Sequence, residues 1–199
     1  MRRDQSRQRN RESLMDAAVA EIAAKGYQAA RLEDIAARAD LTTGAIYSIF
    51  GSKRGLLLAA SRRLLDGQVE ALAALSDPEL SLTEVLDGLA GYAHRMATAE
   101  LRGMQMAFQL EAMAVAFREP ELMATITQSQ DITDAMTDLL TGRRIDTSGA
   151  TTTPEQAQRL QPAVEGLITG LAQLVALGIT EVSAEYFTES MRALIALIV

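Results

Sequence analysis

Apolar residues in this chain recur at i, i+3, i+4 and i+7 along most of its length, as in Leu32, Ile35, Ala36 and Ala39, and never alternate with polar ones for long. A period near 3.6 builds helices that bury one face, and without a period of two there is no half-buried strand from which to assemble a sheet. The expected fold is all-α. Caps and breakers divide the chain into about nine helices, at roughly 7–25, 32–39, 43–49, 52–75, 82–98, 101–117, 120–141, 154–177 and 183–197. Pro120 and Pro154 suit first turns, while Thr42 and Ser52 suit N-caps. Pro162 falls inside a helical pattern and is expected to kink that helix or mark its start. Residues 142–153, GRRIDTSGATTT, read as the one long loop.

With 199 residues, the chain has room for one domain or for a small domain joined to a larger one. It contains no cysteine, which excludes disulfide scaffolds, thiolate metal sites and a cysteine nucleophile. Its one histidine is His94, so no His–His metal site can form within a subunit. No metal, cofactor or catalytic residue is expected. The opening MRRDQSRQRNRESL is followed by more charge instead of the apolar stretch of a signal peptide. The uncharged run from Gly166 to Thr180 is shorter than the roughly 20 residues that span a bilayer. A cytoplasmic protein without a membrane partner is the expectation.

The net charge of −7 conceals a division along the chain. Residues 1–63 carry 12 basic and 7 acidic side chains, whereas residues 64–199 carry 7 basic and 19 acidic ones. Arg2, Arg3, Arg7, Arg9 and Arg11 all lie in the first eleven positions. A polyanion would be drawn to the N-terminal third and repelled by the remainder, although a solvated basic tail on an acidic protein has the same charge pattern.

Residues 31–50 separate these readings. The helix at 32–39 turns at Asp40-Leu41 and restarts at Thr42 into TGAIYSIF, which makes a helix-turn-helix. Ala36 is small at the expected helix crossing, Leu41 can plug the turn, and Ile46 with Phe50 forms an inward face. Thr43, Gly44, Ala45, Tyr47 and Ser48 then face outward, small or hydroxylated as a helix entering a major groove requires, with Thr42 beside them. Next come Ser52-Lys53-Arg54, two cations at a helix N-terminus, where the macrodipole disfavours them unless a phosphate is bound there.

Ala17-Ala18, Gly26-Tyr27, Asp34-Ile35-Ala36, Ala39, Gly44, Ile46-Tyr47, Phe50 and Ser52-Lys53-Arg54-Gly55-Leu56 together resemble the DNA-binding domain of TetR-type transcriptional regulators, in register across about residues 9–60. FQLEAMAVAFREPEL also resembles that family's ligand-domain pattern. Asp40 stands where the family usually has glycine, and can adopt the left-handed conformation at modest cost. Ala30-Arg31 replaces the usual Thr or Ser cap, leaving Arg31 to supply a phosphate contact by charge. The resemblance implies a DNA-binding domain over residues 1–51 and a ligand-binding and dimerisation domain over 52–199. Arg31, Thr42, Thr43, Gly44, Ala45, Tyr47, Ser48, Lys53 and Arg54 are its candidate DNA contacts.

The last two helices, about 154–177 and 183–197, are more apolar than one intramolecular neighbour requires, and pairing across a two-fold axis would give a homodimeric four-helix bundle. Six of the nine methionines lie between Met96 and Met136, in the segment where the family binds inducers. Candidate ligand contacts are Tyr92, Met96, Met104, Gln105, Phe108, Glu111 and Met123, with Gln173 from the penultimate helix; His94 is given no role. The expected protein is a repressor that binds a palindromic operator in double-stranded DNA and is released by an apolar or drug-like small-molecule effector. The alternative is a DNA-binding regulator governed by a protein partner. An enzyme using Glu111 and His94 as an acid–base pair lacks a nucleophile and a phosphate loop, so the chain is read as non-enzymatic.

Overall fold

The computed structural model describes residues 2–100, 102–119, 130–145 and 149–199. Among these it forms α1 (Arg2–Lys25), α2 (Leu32–Arg38), α3 (Thr43–Phe50), α4 (Lys53–Ala73), α5 (Leu82–Thr98), α6 (Arg102–Arg118), α7 (Gln130–Leu140), α8 (Pro154–Ala176) and α9 (Ala184–Ala193), followed by a 3₁₀ turn at Leu194–Leu197. The fold is all-α, and among the described residues the one β-bridge pairs Arg144 with Thr151 across the loop after α7. The first ten residues of the helix expected at 120–141, including Pro120 and Met123, lie outside the described residues.

Most helix starts follow side-chain chemistry. Thr42 caps α3 by accepting from the Ala45 N–H, and Ser183 caps α9 by accepting from Tyr186. Ser81 with Glu84, and Thr153 with Gln156, form reciprocal capping boxes on α5 and α8. The Ser81 hydroxyl and backbone N–H hold the Glu84 carboxyl below its ordinary pKa. Pro162 does not mark a helix start: α8 begins at Pro154 and runs through it. Pro162 is exposed, so water can serve the carbonyl that its missing N–H leaves unpaired.

The chain divides into two compact units, Met1–Asp66 with Gly103–Gln128, and Gly67–Arg102 with Ser129–Val199. A division by role at residue 51 therefore differs from the division by packing, since the start of α4 and all of α6 beyond Arg102 join the N-terminal helices. The reason is apolar burial. Phe108, Ala112 and Val115 of α6 lie in one core with Leu14, Ile22, Ile35, Ile46 and Leu57. Phe108 is fully buried, and burying an aromatic or large aliphatic side chain of this kind contributes about 1.5–3 kcal/mol.

In the second unit, Leu82, Leu86, Leu89, Leu140, Leu160, Val164 and Phe187 form the core. Arg143 is 6% exposed and spends its charge on backbone carbonyls. It donates to Leu139 at 2.7 Å, to Leu75 at 3.4 Å, to Leu80 at 3.5 Å, and to Asp77. These bonds close the α4–α5 connection over the end of α7. A buried guanidinium without them would be costly.

Candidate nucleic-acid interface

Helix α3 is eight residues long and owes its position to the turn before it. Asp40 sits at φ 54°, the left-handed conformation expected for it, and brings the Leu41 N–H to the Ala36 carbonyl at 2.9 Å. Leu41 packs on the core, Ala36 is buried at the crossing of α2 with α3, and Ile46 is fully buried beneath α3. Gly51, at φ 75°, ends the helix with its N–H on the Tyr47 carbonyl.

This anchoring leaves Thr42, Gly44, Tyr47 and Ser48 exposed, with Tyr47 at 57%. Thr43 is half-buried. Ala45 departs from the expected arrangement: it packs partly against the core, because it lies between the outward face and the Ile46 face. Arg31 is exposed at the N-cap of α2, where its side chain makes no capping bond. Among the described residues α1 is helical from Arg2, so its basic residues follow a helix and not a loose arm. Arg11 stacks over the Phe50 ring at 5.1 Å, which ties α1 to the end of α3.

Lys53 does not point outward as its place beside Ser52 suggests. Its ammonium donates to the Tyr27 carbonyl and, at 3.3 Å, to that of Gln28, and lies 4.6 Å from the centre of the Tyr27 ring. Burial pushes its pKa down. Burial also pushes the Tyr27 phenol up, helped by the Glu119 carboxylate and opposed by Arg54. Arg54 itself approaches Glu119 at 3.6 Å. The first turn of α4 is thus occupied with the turn between α1 and α2. Spacing along the chain could not show this, because the acceptors are backbone carbonyls 25 and 26 residues away.

The candidate ligand residues are divided between the units. Met104, Gln105, Phe108 and Glu111 belong to the first, and Tyr92, Met96 and Gln173 to the second. Phe108 is fully buried and Met104 packs against the same core. Glu111 already has a partner, since its carboxylate accepts the Tyr27 N–H at 3.0 Å. Tyr92 is half-buried, and burial pushes its phenol pKa up. Met96 is 39% exposed, and Gln173 is half-buried. His94 meets Phe187 edge-on, with ring centres 5.5 Å apart. In the same unit Leu174, Leu177 and Ile179 at the end of α8, and Tyr186 and Leu197 on and after α9, are large apolar side chains left exposed.

Residues 14–60 match the profile of the bacterial regulatory proteins of the tetR family. The match covers α2, α3, their turn and the start of α4, the elements whose geometry presents Tyr47 and Ser48. Over these residues the chain is similar to the tetR family. It is 32% identical over 117 residues to the HTH-type transcriptional regulator BetI of Stenotrophomonas maltophilia, an alignment covering 56% of this chain and 57% of that relative. Among solved structures it resembles the multidrug binding protein EbrR complexed with malachite green, at 25% identity and TM-score 0.67, over 92% of this chain and 96% of the other. The regulator FadR of Bacillus subtilis in complex with stearoyl-CoA shares the fold at TM-score 0.72 and 19% identity, over 94% of this chain and 98% of that one. Among the described residues no helix of this chain is long and apolar enough to cross a membrane.

Proposed function

We propose that this chain is a ligand-responsive transcriptional repressor of the TetR type, acting in the cytoplasm as a homodimer on a palindromic operator. The observation that carries the reading is the polar face of α3, where Thr42, Gly44, Tyr47 and Ser48 stand exposed on a helix anchored by buried Ile46. Each subunit places α3 in one of two successive major grooves, roughly 34–36 Å apart on one side of the duplex. Thr43 and Ala45 border that contact, and Arg31 and Arg54 meet phosphates, while Lys53 holds the turn behind them. The exposed apolar residues of α8 and α9 support pairing of these helices across the two-fold axis.

The effector is an apolar or drug-like small molecule, a reading supported by the likeness to EbrR and by the methionines between Met96 and Met136. Tyr92, Met96 and Gln173 of the second unit are the residues proposed to meet it, while Phe108 and Glu111 support α6 in the first. Effector binding favours a conformation whose two α3 helices no longer match both half-sites, so affinity for DNA falls. Control by a protein partner is the second reading, favoured by the exposed Leu110, Met113 and Phe117 on α6.

The test is to incubate the purified protein with fragments of its own genome and sequence the DNA it retains. Enrichment of a two-fold symmetric site supports the reading, and absence of enrichment at low salt refutes it. Small molecules that displace the recovered duplex distinguish effector control from partner control.

A further inference from the structure

The turn that joins α1 to the helix-turn-helix is held from two sides. Gly26 ends α1 at φ +80°, with its N–H on the Ile22 carbonyl at 2.8 Å. On one side the Glu111 carboxylate, from the middle of α6, accepts the Tyr27 N–H at 3.0 Å. On the other, Lys53 of α4 takes the Tyr27 and Gln28 carbonyls. A Cβ placed on Gly26 would lie 3.4–3.5 Å from the Glu111 carboxylate, an ordinary contact, so it is the left-handed backbone and not lack of room that calls for glycine here. Four residues after Tyr27 the chain reaches Arg31, the N-cap of α2.

An anionic acceptor on one backbone N–H is a charge-assisted bond, and it is directional where the apolar contacts that Phe108, Ala112 and Val115 make from the same helix are not. The Glu111 bond therefore ties one backbone atom of the turn to one position on α6. We infer that Glu111 is a positioning residue that sets the attitude of α2 and α3 from α6. This rests on the proposed function, in which those two helices read DNA.

The experiment uses the full chain with Glu111→Ala, Glu111→Gln and Glu111→Asp. The amide oxygen of glutamine can still accept from Tyr27, whereas aspartate keeps the charge but withdraws it by one methylene. Amide hydrogen exchange is measured at Tyr27 and across α2 and α3, and binding is measured on the duplex that the wild-type protein enriches, well below each variant's melting temperature. Glu111→Ala and Glu111→Asp are expected to speed exchange at Tyr27 and through α2 by about tenfold or more, and to weaken DNA binding by about tenfold. The salt slope should be unchanged, because no phosphate contact is lost. Glu111→Gln should remain within about threefold of wild type. Glu111→Asp serves in place of Glu111→Ala if the latter does not fold. Faster exchange confined to Tyr27, or unaltered DNA affinity in both disruptive variants, would overturn the inference. If the wild-type protein enriches no DNA, the proposed function fails, and the exchange pattern across α2 and α3 decides the role of Glu111 alone.

Discussion

Two glycines in α4 should respond to alanine with opposite signs. Gly67 is exposed and a Cβ there meets nothing within 4 Å, so Gly67→Ala should stabilise by about 0.5–1 kcal/mol through helix propensity alone. Gly55 lies in the first turn, where a Cβ would stand 2.1 Å from the Phe50 carbonyl oxygen and 3.2 Å from its carbon. That oxygen belongs to the last residue of α3 and cannot rotate away as a side chain would. To restore an ordinary contact the backbone must move by about 1 Å, and overpacking of this kind costs about 1–3 kcal/mol, with backbone shifts at the upper end. After subtracting up to about 1 kcal/mol of propensity, Gly55→Ala should destabilise by about 2 kcal/mol, or about 4–8 °C of melting temperature for a chain this size. Because the displaced group ends the recognition helix, DNA binding should weaken as well. Urea and thermal melts of both variants, with binding to the enriched duplex, test this. A melting temperature for Gly55→Ala at or above that of wild type would refute the packing argument.

Arg143→Met keeps the apolar stem but deprives the carbonyls of Leu75, Asp77, Leu80 and Leu139 of their charged donor. A loss of about 3 kcal/mol is expected by urea denaturation, and a change below about 0.5 kcal/mol would show that water replaces the guanidinium. Asp40→Val puts a β-branched residue at φ 54° and should cost about 1–2 kcal/mol, while Asp40→Gly should be nearly neutral; equal melting temperatures for the two would contradict the left-handed turn. Lys53→Ala should weaken DNA binding without altering its salt dependence, whereas Arg31→Ala should reduce the slope by about one; a reduced slope for Lys53→Ala would mean that the ammonium leaves Tyr27 for a phosphate. The Ser81 bonds depress the Glu84 pKa in the folded state, so their contribution is present above the ordinary glutamate range and lost as pH falls through the depressed value. NMR titration of Ser81→Ala should find the Glu84 pKa raised but still held below its ordinary value by the Ser81 backbone N–H, and an unmoved pKa would show that the hydroxyl does not hold it down.

Much of this protein was legible before any coordinates. The 3.6-residue period, the caps Thr42 and Ser52, Pro154 in a first turn, and the turn at Asp40 are local signals, because helix starts and tight turns are governed by residues three or four positions apart. For the same reason the exposed face of α3 could be listed from its helical repeat, apart from half-buried Thr43 and from Ala45, whose angle falls between the two faces.

Long-range pairing was not legible. Nothing in the spacing of Lys53 and Tyr27, or of Glu111 and Tyr27 across 84 residues, distinguishes a phosphate contact or a ligand handle from a bond to a backbone turn. Pro162 left two readings open, a kink or a helix start, and only the backbone shows that the helix begins at Pro154 and runs through it. The sequence by itself determined the helices, much of their capping and the likeness of residues 14–60 to the tetR family. Only the tertiary structure decided that α6 packs with the DNA-reading helices, and that Lys53 and Glu111 grip the same turn. Which polar atoms meet across a fold depends on how apolar faces pack, and that packing is a property of the whole chain.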